Sequence, residues 1–333
     1  VTPWYNGCQG QDQIVTIDVK PEPVITASQN PSVCSQTALN YTIALDNFGS
    51  ADGVQYTWPA PTLDADPDFS GGTARPALNG GNITDTYINK SSVALDATYN
   101  ITPALDGCYG DAELLTVTIN PEPVISAGQE ITVCSGEALN YSLLLDNFTN
   151  PGDNVTFTWP SPTLDAHPDF SGGNPRPLGN ANNITDVFTN TSGAQQTATY
   201  YITPSKGCPG EVETFVVNVN PAPQMTSIDN ETICDGGSPS INFTSDVPAD
   251  YNWEVTFISS ADIVGTSVGE TGSGNIPHTL FNNGSSNATI IYRVTPVSTP
   301  QSCNGAPQNV TITVNAPAIA TEVNAIVSIA AGN

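Results

Sequence analysis

Basic residues are scarce. The chain of 333 residues holds 6 Lys and Arg against 32 Asp and Glu, a formal net charge of -26. A polyanion of this kind is repelled by phosphate backbones and anionic lipid headgroups, which excludes nucleic acid as an expected partner. Histidine is nearly absent too. His167 and His278 are the only two, and neither stands in a Ser/His/Asp or Cys/His arrangement. No Gly-rich phosphate loop follows a strand and opens a helix, and carboxylates are too abundant for their presence to select a glycosidase pair. Catalysis is therefore not expected. Long helical stretches rich in Ala, Leu, Glu and Lys are missing, and Met occurs once. No run of about 18 apolar residues occurs, so no membrane insertion is expected. The start carries no secretory signal. Val1 does not read as a native N-terminus, so that absence is no argument for the cytoplasm.

What is present favours strands. Thr, Val, Ile and Tyr dominate the apolar-rich runs. Gly and Pro number 28 each without a G-X-Y period, which excludes collagen and predicts many turns. Tyr41, Ile43 and Leu45 alternate with polar or smaller neighbours, as do Val54, Tyr56 and Trp58, and later Leu115, Val117 and Ile119. A period of two marks strands with one buried face.

Self-comparison shows an internal repeat. Cys34, Cys134 and Cys234 are spaced by 100, and so are Cys8, Cys108 and Cys208. CSQTALNYTIALDNF from Cys34 matches CSGEALNYSLLLDNF from Cys134. TWPAPTLDADPDFSGGTARP from Thr57 matches TWPSPTLDAHPDFSGGNPRP from Thr158, and NITDTYIN from Asn82 matches NITDVFTN from Asn183. GCYGDAELLTVTINPEPVI from Gly107 matches GCPGEVETFVVNVNPAPQM from Gly207. The spacing shifts by one between Phe48 and Val54 and returns between Pro103 and Cys108, in Gly/Asp/Ser-rich stretches where loops tolerate insertions. A third unit from Cys234 has drifted but keeps YNWEVTF, IIYRVTP, SCNG and NVTITVNAP.

The predicted organisation is residues 1–20 as the end of a truncated upstream repeat, then repeats over 21–120, 121–220 and 221–315, with 316–333 opening a further segment. About seven short strands per repeat of about 100 residues fit an all-β fold of tandem immunoglobulin-like sandwiches. NPEPVI and NPAPQM join the units. Proline fixes φ, so these joints are short and stiff and the array is expected to form a rod. An incomplete front half that accepts a strand from another molecule is the alternative.

The cysteines are expected to pair within each repeat, as Cys34–Cys108, Cys134–Cys208 and Cys234–Cys303, one bridge per domain, leaving Cys8 for a partner upstream. Such bridges require an oxidising compartment. Zinc is a poor alternative, because no Cys-x-x-Cys or His pair stands near any of them.

The succession of VCSG, FTWP, NITD with a following TN, ATYYITP with GCPGE, and VVNVNPAP resembles the PKD-like domains of large Bacteroidetes surface proteins, gliding-motility adhesins and other type IX secretion cargo among them. The resemblance covers nearly the whole chain. It implies a β-sandwich, export to the cell surface, and a stalk or adhesive fibre. ATEVNAIVSIAAGN at the end lacks a cysteine where a further unit would begin, a departure that puts a fourth identical repeat in doubt.

The sharpest local candidate is an acidic loop. Asp64, Asp66 and Asp68 alternate in LDADPDFSGG, and Asp165 and Asp169 hold the matching places around His167. Oxygen-rich spacing of this kind can ligate calcium; the competing reading is a solvated turn held by side-chain hydrogen bonds and partly neutralised by Arg75 or Arg176. Trp58, Trp159 and Trp253 fall on the same strand of each unit and are assigned to the core, because they alternate with Tyr56 or Phe157. Lys20, Lys90 and Lys206 do not recur at equivalent places, which excludes a repeated Lys–Asn isopeptide bond. The sequence thus predicts a non-catalytic, extracellular stalk at a cell surface. Its expected partners are neighbouring repeats, with surface glycans or other cell-surface proteins as the partners of an alternative binding array, and with fibre assembly by strand exchange as a third reading. No cofactor besides calcium is indicated.

Overall fold

The computed structural model describes residues 1–49, 52–149, 153–177, 182–227 and 229–318. Among them all regular structure is strand. Most of the segment expected to open a further unit, from 319 onward, lies outside the described residues.

Three separate hydrophobic cores follow one another along the chain. The first gathers buried side chains from Ile25 to Ile119, the second from Ile125 to Val219, and the third from Ile233 to Val314. Each is the inside of an immunoglobulin-like sandwich. In the first, the main sheet runs in the order Ser32–Cys34, Glu113–Asn120, Leu95–Leu105, Gln55–Trp58 and Arg75–Asn79. Short pairings such as Phe69–Gly71 with Tyr87–Asn89, and the bridges Ile25–Leu45 and Tyr41–Ile83, form the facing layer. The second and third sandwiches repeat this order, with Gln129–Cys134 and Glu231–Ile233 in the place of Ser32–Cys34. Upstream, Trp4–Tyr5 pairs with Cys8–Gln9 in a hairpin, the counterpart of the turn around Cys108.

Alternation explains the burial. Leu115, Val117 and Ile119 face the core, as do Val54, Tyr56 and Trp58. The tryptophans of the three units are buried as expected, each edge-on to a tyrosine: Trp58 to Tyr99, Trp159 to Tyr200, Trp253 to Tyr292. The Arg75 and Arg176 guanidinium groups lie 4.0 and 4.2 Å from the Trp58 and Trp159 rings. They cap these indoles.

Several buried polar side chains are satisfied by a set of partners that recurs from one sandwich to the next. Asn89, Asn190 and Asn282 are buried, and each donates from Nδ2 to a carbonyl near the end of the last strand: Ile119, Val219 and Val314, at 2.8, 2.7 and 3.0 Å. Deeper in, the Tyr99 and Tyr200 hydroxyls donate to Asp85 and Asp186, the aspartates of the two NITD words. The third sandwich lacks that aspartate. His278 takes over, with Nδ1 2.7 Å from the Tyr292 hydroxyl and Nε2 3.1 Å from Glu270. His278 is thus a core partner for a tyrosine, which is why it appears only in the divergent unit.

The first strand of each sandwich pairs parallel with the last, and this overturns the expected disulfides. Cys34 lies opposite Asn120, at the far end of Glu113–Asn120, whereas Cys108 lies in the hairpin ahead of that strand's start. Eight strand residues span about 23 Å, and a disulfide needs Cα atoms within about 7 Å. Pairing within a repeat, Cys34–Cys108, Cys134–Cys208 and Cys234–Cys303, therefore does not occur. The bridges are Cys34–Cys208 and Cys134–Cys303, with Cα atoms 5.4 and 5.5 Å apart. Each joins one repeat to the next, so there is one bridge per joint rather than one per domain. Cys8, Cys108 and Cys234 are unpaired.

Candidate functional site: the cross-linked joints

Each joint is built from words that recur in the sequence. The second sandwich receives its linker on Gly210, where a Cβ atom would lie 2.0 Å from the Pro123 carbonyl oxygen. Only glycine lets the chain approach so closely. Gly110 and Gly305 stand in the same relation to Pro23 and Pro223, each at 1.9 Å. The glycine two places after the second cysteine of each unit is thus the seat of that unit's incoming Pro-x-Pro linker. Asn147 clamps the same linker, accepting from the Val124 amide at 3.0 Å and donating to the Glu122 carbonyl at 2.7 Å. Asn47 does this for the first sandwich, and the Asp246 carboxylate accepts the Gln224 amide in the third.

With the linker seated, the preceding repeat docks onto it. Asn147 Nδ2 also reaches the Lys90 and Ser91 carbonyls, at 3.0 and 3.2 Å. Gln36 Nε2 donates to both Glu122 carboxylate oxygens and to Glu211 Oε1, each at 2.9 Å, which ties the first repeat, the linker and the second repeat together. Lys90 Nζ lies 3.9 Å from Glu211. The buried Glu122 side chain has its partner in Gln36, as burial of a carboxylate requires. Cys34–Cys208 closes this joint. The second joint keeps the bridge and the glycine seat but loses the polar set, because Gly136 and Ala222 stand where Gln36 and Glu122 would be.

The acidic turns are held from within. Asp64 Oδ2 accepts the Asp96 amide at 2.8 Å, Asp66 Oδ1 accepts the Asp68 amide at 2.9 Å, and Asp165 Oδ2 accepts the Thr197 amide at 2.7 Å. His167 Nδ1 accepts the Asp169 amide at 3.2 Å. Asp64 and Asp165 cap amides on a neighbouring strand and Asp66 caps an amide of its own turn, so Asp64, Asp66, Asp68, Asp165 and Asp169 are not gathered into the expected calcium site. Among the described residues no group of three or more His, Cys, Asp or Glu side chains is placed to hold a metal ion. The lysines serve as surface ion-pair partners: Lys20 with Asp106 at 3.3 Å and Lys206 with Asp153 at 3.4 Å.

Burial, before any other cause, pushes the phenols of Tyr87 and Tyr292 up to about 12. It also raises Tyr99 and Tyr200 further, with their hydrogen bonds to Asp85 and Asp186 adding to the effect. Hydrogen bonds from Thr266 first, then His278, hold the Glu270 carboxyl below its usual range. The four tyrosines belong to the cores, and Glu270 lies at the edge of the third.

Residues 31–123, 131–223 and 231–318 each match the PKD-like domain family. The chain belongs to that family. The matched spans fall on the three sandwiches, so each joint is a contact between successive PKD-like repeats. No curated protein matches the chain. Solved structures that match the chain include the I67–I69 fragment of the titin I-band, 10% identical over 90% of this chain and 100% of that one, with a TM-score of 0.35. The FN1–FN3 domains of chicken CNTN1 are 10% identical over 89% of this chain and 100% of theirs, at 0.30. Drosophila N-cadherin EC1-4 is 10% identical over 91% of this chain and 77% of its own, at 0.24. None of these superpositions bears on what the PKD-like repeats do here. No helix among the described residues is long and apolar enough to cross a membrane.

Proposed function

We propose that the chain is a non-catalytic stalk segment of a secreted cell-surface adhesin or filament, one that holds an adhesive tip away from the cell. The observation that carries this reading is the placement of both disulfides across joints between repeats. A bridge inside a domain protects that domain, whereas a bridge across a joint fixes the direction of one domain relative to the next. Disulfides also require an oxidising compartment, which favours an extracellular location. The strong negative charge suits a long solvated surface that resists self-association.

The unpaired cysteines fit an array that is longer in both directions. Cys108 holds the place of Cys208 and Cys303, and Cys234 the place of Cys34 and Cys134. Each presents the half of a joint that a further PKD-like repeat would complete, and Cys8 does the same for the repeat that residues 1–20 close. Adjacent repeats are therefore the proposed partners.

Two measurements test the reading. Small-angle scattering of the oxidised chain should give the form of a rod three domains long, broadening toward a flexible string when the bridges are reduced. Antibody against the repeats should label intact source cells. Equal scattering in both redox states would remove the stiffening role, and labelling confined to permeabilised cells would remove the surface location.

A further inference from the structure

The two bridges interleave, since Cys34 and Cys134 are joined to Cys208 and Cys303 respectively. From this connectivity we infer that the disulfides form a second, covalent load path that lets tension bypass the folded domains. The inference rests on the stalk reading for its biological sense and on the connectivity alone for its physics.

The path can be followed residue by residue. Tension arriving at Cys34 crosses to Cys208. From there it runs along Glu213–Asn220, through the linker, along Glu231–Ile233, and reaches Cys234, 26 residues from Cys208 (234 less 208). The same interval separates Cys108 from Cys134, by way of Glu113–Asn120 and Gln129–Cys134. Much of this track is extended strand in the folded state, and it travels the length of two sandwiches. Pulled straight, 26 residues span roughly 90 Å, whereas the 200 residues from Cys34 to Cys234 would span roughly 700 Å. In an array continued on both sides, where Cys234 and Cys108 are bridged in turn, the strands between the two cysteines of a repeat, which hold most of the core, lie off the track. Unfolding them yields almost no length, so tension does little work on them. An array built of such joints carries load on two alternating tracks, each running through every other linker and taking one strand from each repeat.

Single-molecule stretching of this chain by handles at its two ends tests the connectivity under load. With both bridges intact, the shortest covalent route between Cys34 and Cys303 is the stretch of 74 residues from Cys208 back to Cys134 (208 less 134), against 269 when reduced (303 less 34). Full reduction should therefore add roughly 680 Å to the limiting contour length. Removing one bridge alone, as Cys34→Ser with Cys208→Ser or Cys134→Ser with Cys303→Ser, should add only roughly 70–90 Å, because the surviving bridge still shortens the path. This non-additive pattern is the signature of interleaving. Bridges confined to single repeats would instead add roughly 260 Å on loss of Cys34, and that result would overturn the inference. Equal contour lengths in oxidised and reduced chains would overturn it as well. The reduced wild-type chain needs no substitution to fold, so the main comparison survives a misfolded variant. Either negative result would leave the surface location standing, since cell labelling reads that separately.

Discussion

Replacing Cys208 by serine should destabilise the first sandwich, to which Cys208 does not belong. When the first sandwich unfolds alone, Cys34 stays tied to the folded second sandwich through Cys208. The chain also stays anchored where the linker sits on Gly210. The closed loop runs from Cys34 to the seated linker, about 90 residues, for which the chain-entropy relation gives about 4.5 kcal/mol; bridges in practice deliver about 2–4 kcal/mol. Loss of the bridge should speed exchange of the slowest amides in Leu95–Leu105 and Glu113–Asn120 by roughly 30- to 1,000-fold. Hydrogen exchange read by mass spectrometry, with the leftover thiols alkylated, resolves the domains. Cys34→Ser and Cys208→Ser should have equal effects on these two strands. If Cys34→Ser loosens them and Cys208→Ser leaves them untouched, the bridge lies within the first repeat and the reasoning fails.

Gly210→Ala should unseat the linker from Pro123, at a cost of about 1–3 kcal/mol, and lower the yield of the Cys34–Cys208 bridge in non-reducing peptide maps; full yield would refute the seat. Asn190→Ala strips the donor from the Val219 and Ala194 carbonyls and should cost the second sandwich about 2–3 kcal/mol by chemical denaturation, with a loss below half a unit counting against the network. The buried phenols give an alkaline limit. Their pKa values are raised on folding, so their contribution is complete below about pH 10, where unfolded tyrosine ionises, and is lost as pH rises toward and through about 12 for Tyr87 and Tyr292. Absorbance titration at 295 nm should show a late group of tyrosines that ionises together with unfolding; a single early step would contradict this. Millimolar calcium should leave the melting temperature unchanged, and a rise of several degrees, the mark of a site present only in the folded state, would restore the acidic turns as ligands.

Much of the fold was legible because the strand period and the 100-residue repeat are local or self-comparing signals. Leu115, Val117 and Ile119 announce a buried face by alternation alone, and Trp58 is placed by its neighbour Tyr56. The disulfides were misread because spacing is blind to direction. Cys34 and Cys108 look like a pair in a list of intervals, but the first strand runs parallel to the last, which sends Cys34 to the opposite end of the sandwich. A signal for the joint was present in the same words: the glycine after each second cysteine and the Asn of LDNF recur in step with Pro-x-Pro. Their meaning depends on a contact between the linker and a hairpin some 85 residues later, which no local pattern displays. The calcium reading failed for a related reason. Alternating aspartates place three carboxylates on a short turn, but Asp64 turns to the Asp96 amide on a neighbouring strand and Asp66 to the Asp68 amide within the turn.

The staggered bridges also impose an order on maturation. Cys8 already stands 26 residues ahead of Cys34 (34 less 8) and Cys108 follows it by 74 (108 less 34), whereas its proper partner arrives 100 residues after Cys108. A nascent chain that oxidised before folding would take a nearer thiol. Once the first sandwich has formed, its own strands hold Cys34 and Cys108 a domain length apart and the wrong bond is closed to it. Folding therefore proofreads oxidation. Each repeat must reach its native form first and then keep a thiol in reserve until its successor has folded beside it.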